Sequence, residues 1–262
     1  MLPVIIPYYK KPEQLDKCVK ALETQTYPVE VFIRDNNREN VYFTAAVNEG
    51  ILKYLDKDCK YILLLNQDMY LEPDAVRELV DYMDTKPECG IAAPLQISCR
   101  NPENVVCAGG LEAFPEGRHE YGLLSQFAVN REIAWANGAC MILRTEMIRE
   151  IGIMDKNFVL ICSDSDYCFT AKSRGWKIWS VVSARGIHEH GVSGVSADNS
   201  MEIIKLKDVI YFGNKWLSGG GLYKRLSVEG PKLSPVEISK IMENLKRIKN
   251  SLVREKSSGG LA

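Results

Sequence analysis

At 262 residues the chain suits one large α/β domain or two small ones, and 46% hydrophobic with 26% charged residues is the balance of a globular protein with a full core. The net charge of −1 gives no case for nucleic acid, but it is uneven: +5 over residues 224–262 and −6 before them, a basic tail on a mildly acidic body. Eight cysteines, with no CxxC pair and no zinc-like spacing to the three histidines, read as reduced thiols of a cytoplasmic protein, and no run nears the roughly 18–20 apolar residues of a membrane span.

The N-terminal run is broken by Pro3 and Pro7 and lacks a basic leader, unlike a signal peptide. Leu2–Pro7 predicts a strand, and residues 11–24 a helix with Leu15, Cys18, Val19 and Leu22 on one face. A strand over 29–34, a helix over 44–55, a strand over 61–65, a helix over 73–83 and a strand over 90–94 follow. This alternation predicts a parallel sheet with helices packed on it, and ligands in such sheets gather beyond the carboxyl ends of the strands. Residues 98–134 read as loops with short strands. A strand over 140–143, helices over 145–151 and 163–173 and a strand over 176–182 come next, and 186–200 reads as a loop. Ser234 and Glu237 frame a capping box with Pro235 at the first helical position. Ile238, Ile241, Leu245, Ile248 and Leu252 then line one face of a final amphipathic helix.

Four polar groups interrupt this pattern. Asn66-Gln67-Asp68 ends an apolar strand, and the alternation of an extended segment points residues 66 and 68 the same way, toward one hard cation or into a turn. Asp35-Asn36-Asn37 closes the second strand, as a partner for a ribose or base or as an Asx turn. In Ser163-Asp164-Ser165-Asp166 two carboxylates open a helix, suiting either its dipole or a general base of perturbed pKa. His188 and His190 stand two apart on the expected loop, as surface residues or as ligands that would favour Mn²⁺ over Mg²⁺.

Together these groups resemble family-2 glycosyltransferases of the GT-A fold, with a rhamnosyltransferase-like Asn-x-Asp. The resemblance rests on VIIPYYKKPEQLDKCVKALETQTYPVEVFIRDNN, LLLNQDMYLEPDAVRELV, ANGACMILRTEMIREIGIMDKNFVLICSDSDYCFTAKSRGWKIW and HEHGVSG, in order over about residues 3–195. It implies a nucleotide-diphospho-sugar transferase fold with a mostly parallel central sheet flanked by helices. The catalytic domain would be 1–223, nucleotide-binding to about 100 and acceptor-side from about 101, followed by a basic helical tail, 224–262.

The resemblance also implies roles. Pro7, Tyr8, Asp35, Asn37, Asn66 and Gln67 would line the nucleotide; Asp68 and His188, with His190 as the alternative, would hold a divalent cation, Mn²⁺ or Mg²⁺. Asp164 would be the general base of an inverting transfer, with Asp166 as the second carboxylate. Gly138 would admit the sugar. Apart from the resemblance, Trp135 with Phe114, Tyr121 and Phe127 lies in the variable region, as core residues or as a surface on which an acceptor stacks. The donor would be a UDP-, dTDP- or GDP-sugar and the acceptor a glycan or lipid-linked hydroxyl. The final helix would pack on the domain, dimerise or touch a membrane. The chain departs from the family pattern at Tyr9, at Asn66 in place of Asp and at Ser163 in place of Glu.

Two other readings are weighed against this one. A nucleotidyltransferase would need a Gly-rich phosphate loop near the first strand, where this chain reads IIPYYKKP. A non-catalytic sugar-nucleotide or glycan-binding module on the same fold would bind without turnover, and the joint presence of Asp68, Asp164 and His188 argues for chemistry.

Overall fold

The computed structural model describes residues 1–189, 199–217, 223, 226 and 233–258. Side chains alternate across each central strand and so assign the helices to two faces. On β1 (Leu2–Tyr8), β3 (Tyr61–Leu65) and β11 (Cys140–Arg144), the residues Val4, Ile6, Leu63, Leu65, Cys140 and Ile142 pack with α1 (Pro12–Glu23) and α3 (Ala75–Thr85). The alternate residues Ile5, Ile62, Leu64, Met141 and Leu143 pack with α2 (Tyr42–Leu55), α4 (Thr145–Ile151) and α5 (Ser163–Ser173). Burial on both faces explains the unbroken apolar sequence of β3. The helix α2 approaches β1 so closely at Gly50 that a Cβ there would stand 2.6 Å from Ile5.

The main sheet runs β2-β1-β3-β11-β5-β12-β10, where β2 is Val29–Asp35, β5 Cys89–Ser98, β10 Arg131–Glu132 and β12 Lys177–His188. Five of these seven strands point one way, and β11 and β10 run against them. The sheet is thus mostly parallel, as expected. The short strands β6 (Asn104–Cys107), β7 (Gly110–Glu112), β8 (Arg118–His119) and β9 (Gly122–Leu123) fill the region read as loops with short strands.

Three elements differ from the sequence reading. The strand β12 does not stop near residue 182 but continues to His188, so His188 is on a strand and not on a loop. Past an irregularity between Val181 and Arg185 it pairs with β4 (Met69–Leu71), a strand too short to show a period. A helix, α6 (Ser200–Trp216), occupies a segment for which no element was expected. The capping box forms as read: the Ser234 and Glu237 backbone N–H groups each reach the other's side chain, at 2.8 and 3.3 Å, and α7 (Pro235–Ser258) follows. Ile238, Ile241 and Leu245 of α7 pack on the core beside α6, and no helix among the described residues is long and apolar enough to cross a membrane.

Candidate active site

The parallel register of β1 and β2 sets Tyr8 opposite Asp35 at the carboxyl edge. Asp35 Oδ1 accepts from the backbone and side-chain nitrogens of Asn37, at 2.8 and 2.7 Å, forming the Asx turn. Those two donors hold the Asp35 carboxyl below its ordinary pKa. Asn37 Oδ1 accepts from the Lys10 backbone N–H at 2.9 Å. Gln67 ties the same turn to β3: its oxygen accepts from the Tyr9 N–H at 2.7 Å and its amide nitrogen donates to the Lys10 carbonyl at 2.8 Å. Lys10 and Lys11 both hold positive φ, 53° and 55°, so these bonds fix a turn that side chains rarely adopt.

The extension of β12 sets His188 opposite Met69, next to Asp68. His188 Nε2 stands 3.6 Å from Asp68 Oδ1, and the Glu189 N–H donates to the Asp68 carbonyl at 2.9 Å. The other ring nitrogen, Nδ1, is 2.7 Å from Gln96 Oε1, a pure acceptor, so Nδ1 carries the hydrogen and the Nε2 lone pair faces the carboxylate side. An imidazole nitrogen and a carboxylate oxygen at this spacing, with the far ring nitrogen held by an amide, fit one divalent cation. Among the described residues no cluster of three or more His, Cys, Asp or Glu could hold a metal.

The third part is the turn 137–139 at the start of β11. The Gly138 N–H donates to Asp164 Oδ2 at 2.9 Å, and the Ser165 N–H to Oδ1 at 2.7 Å. Burial raises the Asp164 pKa, against the opposing effect of these two donors. One residue on, the Ala139 carbonyl accepts from the Asn66 N–H at 2.8 Å. One turn therefore touches both Asp164 and the loop that carries Asp68. A Cβ on Gly138 would meet Phe43 at 2.9 Å and Asp164 at 3.3 Å, so the glycine admits the carboxylate and the ring.

The model of the family described as glycosyltransferase like family 2 matches residues 26–201, two thirds of the chain and every polar group above except the β1 turn. The chain belongs to this glycosyltransferase family. A curated relative, the low-salt glycan biosynthesis hexosyltransferase Agl10 of Haloferax volcanii, is 20% identical over 193 residues, covering 70% of this chain and 58% of its own length. The chain thus spans less than two thirds of that relative. Among solved structures, GalNAc-T7 with UDP, GalNAc and Mn²⁺ superposes with a TM-score of 0.61 at 14% identity, over 93% of this chain and 54% of that one. The Pyrobaculum calidifontis mannosyltransferase PcManGT, in complex with GDP-Man and Mn²⁺, gives 0.57 at 13%, over 100% and 80%. These likenesses show the GT-A glycosyltransferase fold.

Within this glycosyltransferase fold, Asp166 sits away from the Gly138 turn. It is buried against α6, with Lys215 Nζ 2.8 Å from Oδ1 and Trp216 Nε1 donating to Oδ1 at 2.7 Å. Trp135 is buried too, its ring packed on Gly110 and on His119, 4.8 Å between centroids. Phe114 and Phe127 are core residues, while Tyr121 is exposed. Pro7 lies within β1, and His190 falls outside the described residues.

Several residues that shape the site were not singled out from the sequence. Gln96, a buried amide in an apolar strand, carried the clearest signal. Asn137 precedes the glycine of the turn. Asp208 is buried on α6 and accepts from the N–H groups of Val159, Leu160 and Ile161, fixing the segment that leads to Asp164. Cys162, at the head of α5, has φ of 63°.

Proposed function

We propose that the chain is an inverting glycosyltransferase that moves a hexosyl group from a nucleotide-diphospho-sugar to a hydroxyl of a glycan or lipid-linked acceptor. The observation that carries this reading is the shared turn: Asp164 is held by Gly138 while the next residue holds Asn66 of the donor-side loop. Tyr8, Asp35 and Asn37 face the base and ribose, and Gln67 fixes the turn that presents Tyr8.

In the transfer, the acceptor oxygen bonds to the anomeric carbon as the bond to the diphosphate oxygen breaks on the opposite face. The acceptor proton passes to Asp164, whose raised pKa makes it a stronger base than an ordinary aspartate. Such general-base help contributes about 10²–10⁴-fold. A divalent cation, Mn²⁺ or Mg²⁺, held by Asp68 and His188, would supply stabilisation of the charge on the leaving diphosphate. The Mn²⁺ in the two solved relatives supports this assignment. We take residues 1–223 as the catalytic domain and 224–262 as a basic helical tail suited to peripheral membrane contact. The eight free cysteines suit the reducing cytoplasm.

Calorimetric titration with UDP, dTDP and GDP, each with Mn²⁺ and with EDTA, tests the proposal. Metal-dependent binding of one nucleotide is the expected result and names the donor class. A folded protein that binds none of them would overturn the metal–diphosphate reading in favour of a glycan-binding module.

A further inference from the structure

We propose that Asn137 and His119 are positioning residues that hold the backbone donor of the Asp164 base; the inference rests on the assignment of Asp164 as that base. Asn137 Oδ1 accepts from the Ala139 N–H at 2.8 Å and the Asn137 carbonyl accepts from the Cys140 N–H at 3.3 Å, so one residue closes the turn from both its side chain and its backbone. With Oδ1 committed to Ala139, the amide nitrogen points outward, 3.3 Å from His119 Nε2. An amide nitrogen only donates, so Nε2 accepts and Nδ1 carries the ring hydrogen. Nδ1 faces Cys107 Sγ at 3.3 Å, and the ring leans on Trp135.

His119 thus holds the Asn137 amide in a single orientation. That orientation sets the turn, and the turn sets two contacts at once: Gly138 N–H on Asp164 Oδ2 and the Ala139 carbonyl on the Asn66 N–H. Neither His119 nor Asn137 needs to touch the reacting atoms. Their effect passes through the placement of the Gly138 N–H, a donor that favours the charged form of Asp164 and so lowers its pKa.

A pH profile reads this effect. The titratable groups that sense Asp164 are the thiols of Cys107 on β6, Cys162 before α5 and Cys168 within it, all pushed well up by burial. From α2 the neighbour at Gly138 is Phe43, which does not titrate. The carboxylates Asp166 on α5 and Asp208 on α6 act with Asp164 on Cys162 and are unchanged in every variant. His119 reaches the turn through Asn137, and both variants used at that position remove its titration.

The experiment measures kcat/KM against pH for nucleotide release by the full chain from UDP-, dTDP- and GDP-hexoses with Mn²⁺, water serving as the acceptor. In Asn137→Ala the acid limb is expected to move up by about one pH unit, the scale of one lost charge-assisted hydrogen bond. His119→Leu should move it the same way. His119→Gln, whose amide oxygen can accept from Asn137, should leave it near the wild-type position. An unmoved limb in Asn137→Ala, or identical behaviour of the Leu and Gln variants, overturns the inference. If Asn137→Ala fails to fold, the Leu and Gln pair decides alone. A wild-type profile with no acid limb also overturns it. Asp164→Asn separates the two claims: if that variant retains turnover, the base assignment has failed, whereas an inactive Asp164→Asn with unmoved limbs elsewhere condemns only the positioning pair.

Discussion

His188 Nε2 lies 3.6 Å from Asp68 Oδ1, and the opposite edge of the same ring is bound to Gln96 at 2.7 Å. The chain brings these residues together through β4 and the far end of β12, which pair antiparallel beside the loop that holds Asp68. Gln96 selects the tautomer in which Nε2 turns its lone pair toward Asp68, the orientation that the proposed metal site requires. Gln96→Leu should therefore weaken Mn²⁺-dependent nucleotide binding about tenfold or more, the usual cost of losing such an outer partner. Binding isotherms at varied Mn²⁺ check this, and unchanged metal dependence would remove His188 from the site.

Gly138 has no room for a side chain. Gly138→Ala places a methyl 2.9 Å from Phe43 and 3.3 Å from Asp164. We expect turnover to fall by about 10²-fold through displacement of the base, in line with an ångström-scale misplacement. Nucleotide affinity should stay within a few-fold. Loss of nucleotide binding in proportion to turnover would show that the turn acts on the donor instead.

Asp208 accepts from three consecutive backbone N–H groups, at distances down to 2.8 Å. Asp208→Ala leaves those donors without their acceptor and should destabilise the fold by about 3 kcal/mol, at the upper end for unsatisfied buried groups. Denaturant unfolding checks it; Asp208→Asn should recover part of the loss. A midpoint within error of wild type would mean that solvent replaces the carboxylate.

Burial raises the Asp164 pKa, and the base works deprotonated, so activity should fall as pH drops through a value above the ordinary carboxylate range. The stability linkage has the opposite sense. A carboxylate whose folded pKa is raised favours folding below its unfolded pKa, and that contribution is lost as pH rises through the folded pKa. Asp164 is thus held charged at some cost to stability. An acid limb in the ordinary aspartate range would contradict this.

Much of the sheet was legible because its central strands bury both faces: the bounds of β3 follow from its apolar run, and α4 and α5 end at the positive-φ glycines Gly152 and Gly175. The carboxyl-edge residues Tyr8, Asp35 and Asp68 were legible for the same reason, since a polar group ending an apolar strand is conspicuous. What stayed hidden depends on pairing rather than period. The three-residue β4 has no periodicity of its own, and the end of β12 is a strand only because β4 and β5 pair with it. Asp166 shared with Asp164 every local feature a sequence can show. Lys215 and Trp216, on a helix far along the chain, distinguish them.

If Asp164 takes the acceptor proton, Asp164→Asn removes the base while keeping the shape of its side chain. Transfer and Mn²⁺-dependent nucleotide binding should be measured on the same preparation of this variant. Transfer should fall by at least about 10²-fold, the lower bound for general-base help, with nucleotide affinity within a few-fold of wild type. Near-wild-type transfer by Asp164→Asn would contradict this role for Asp164.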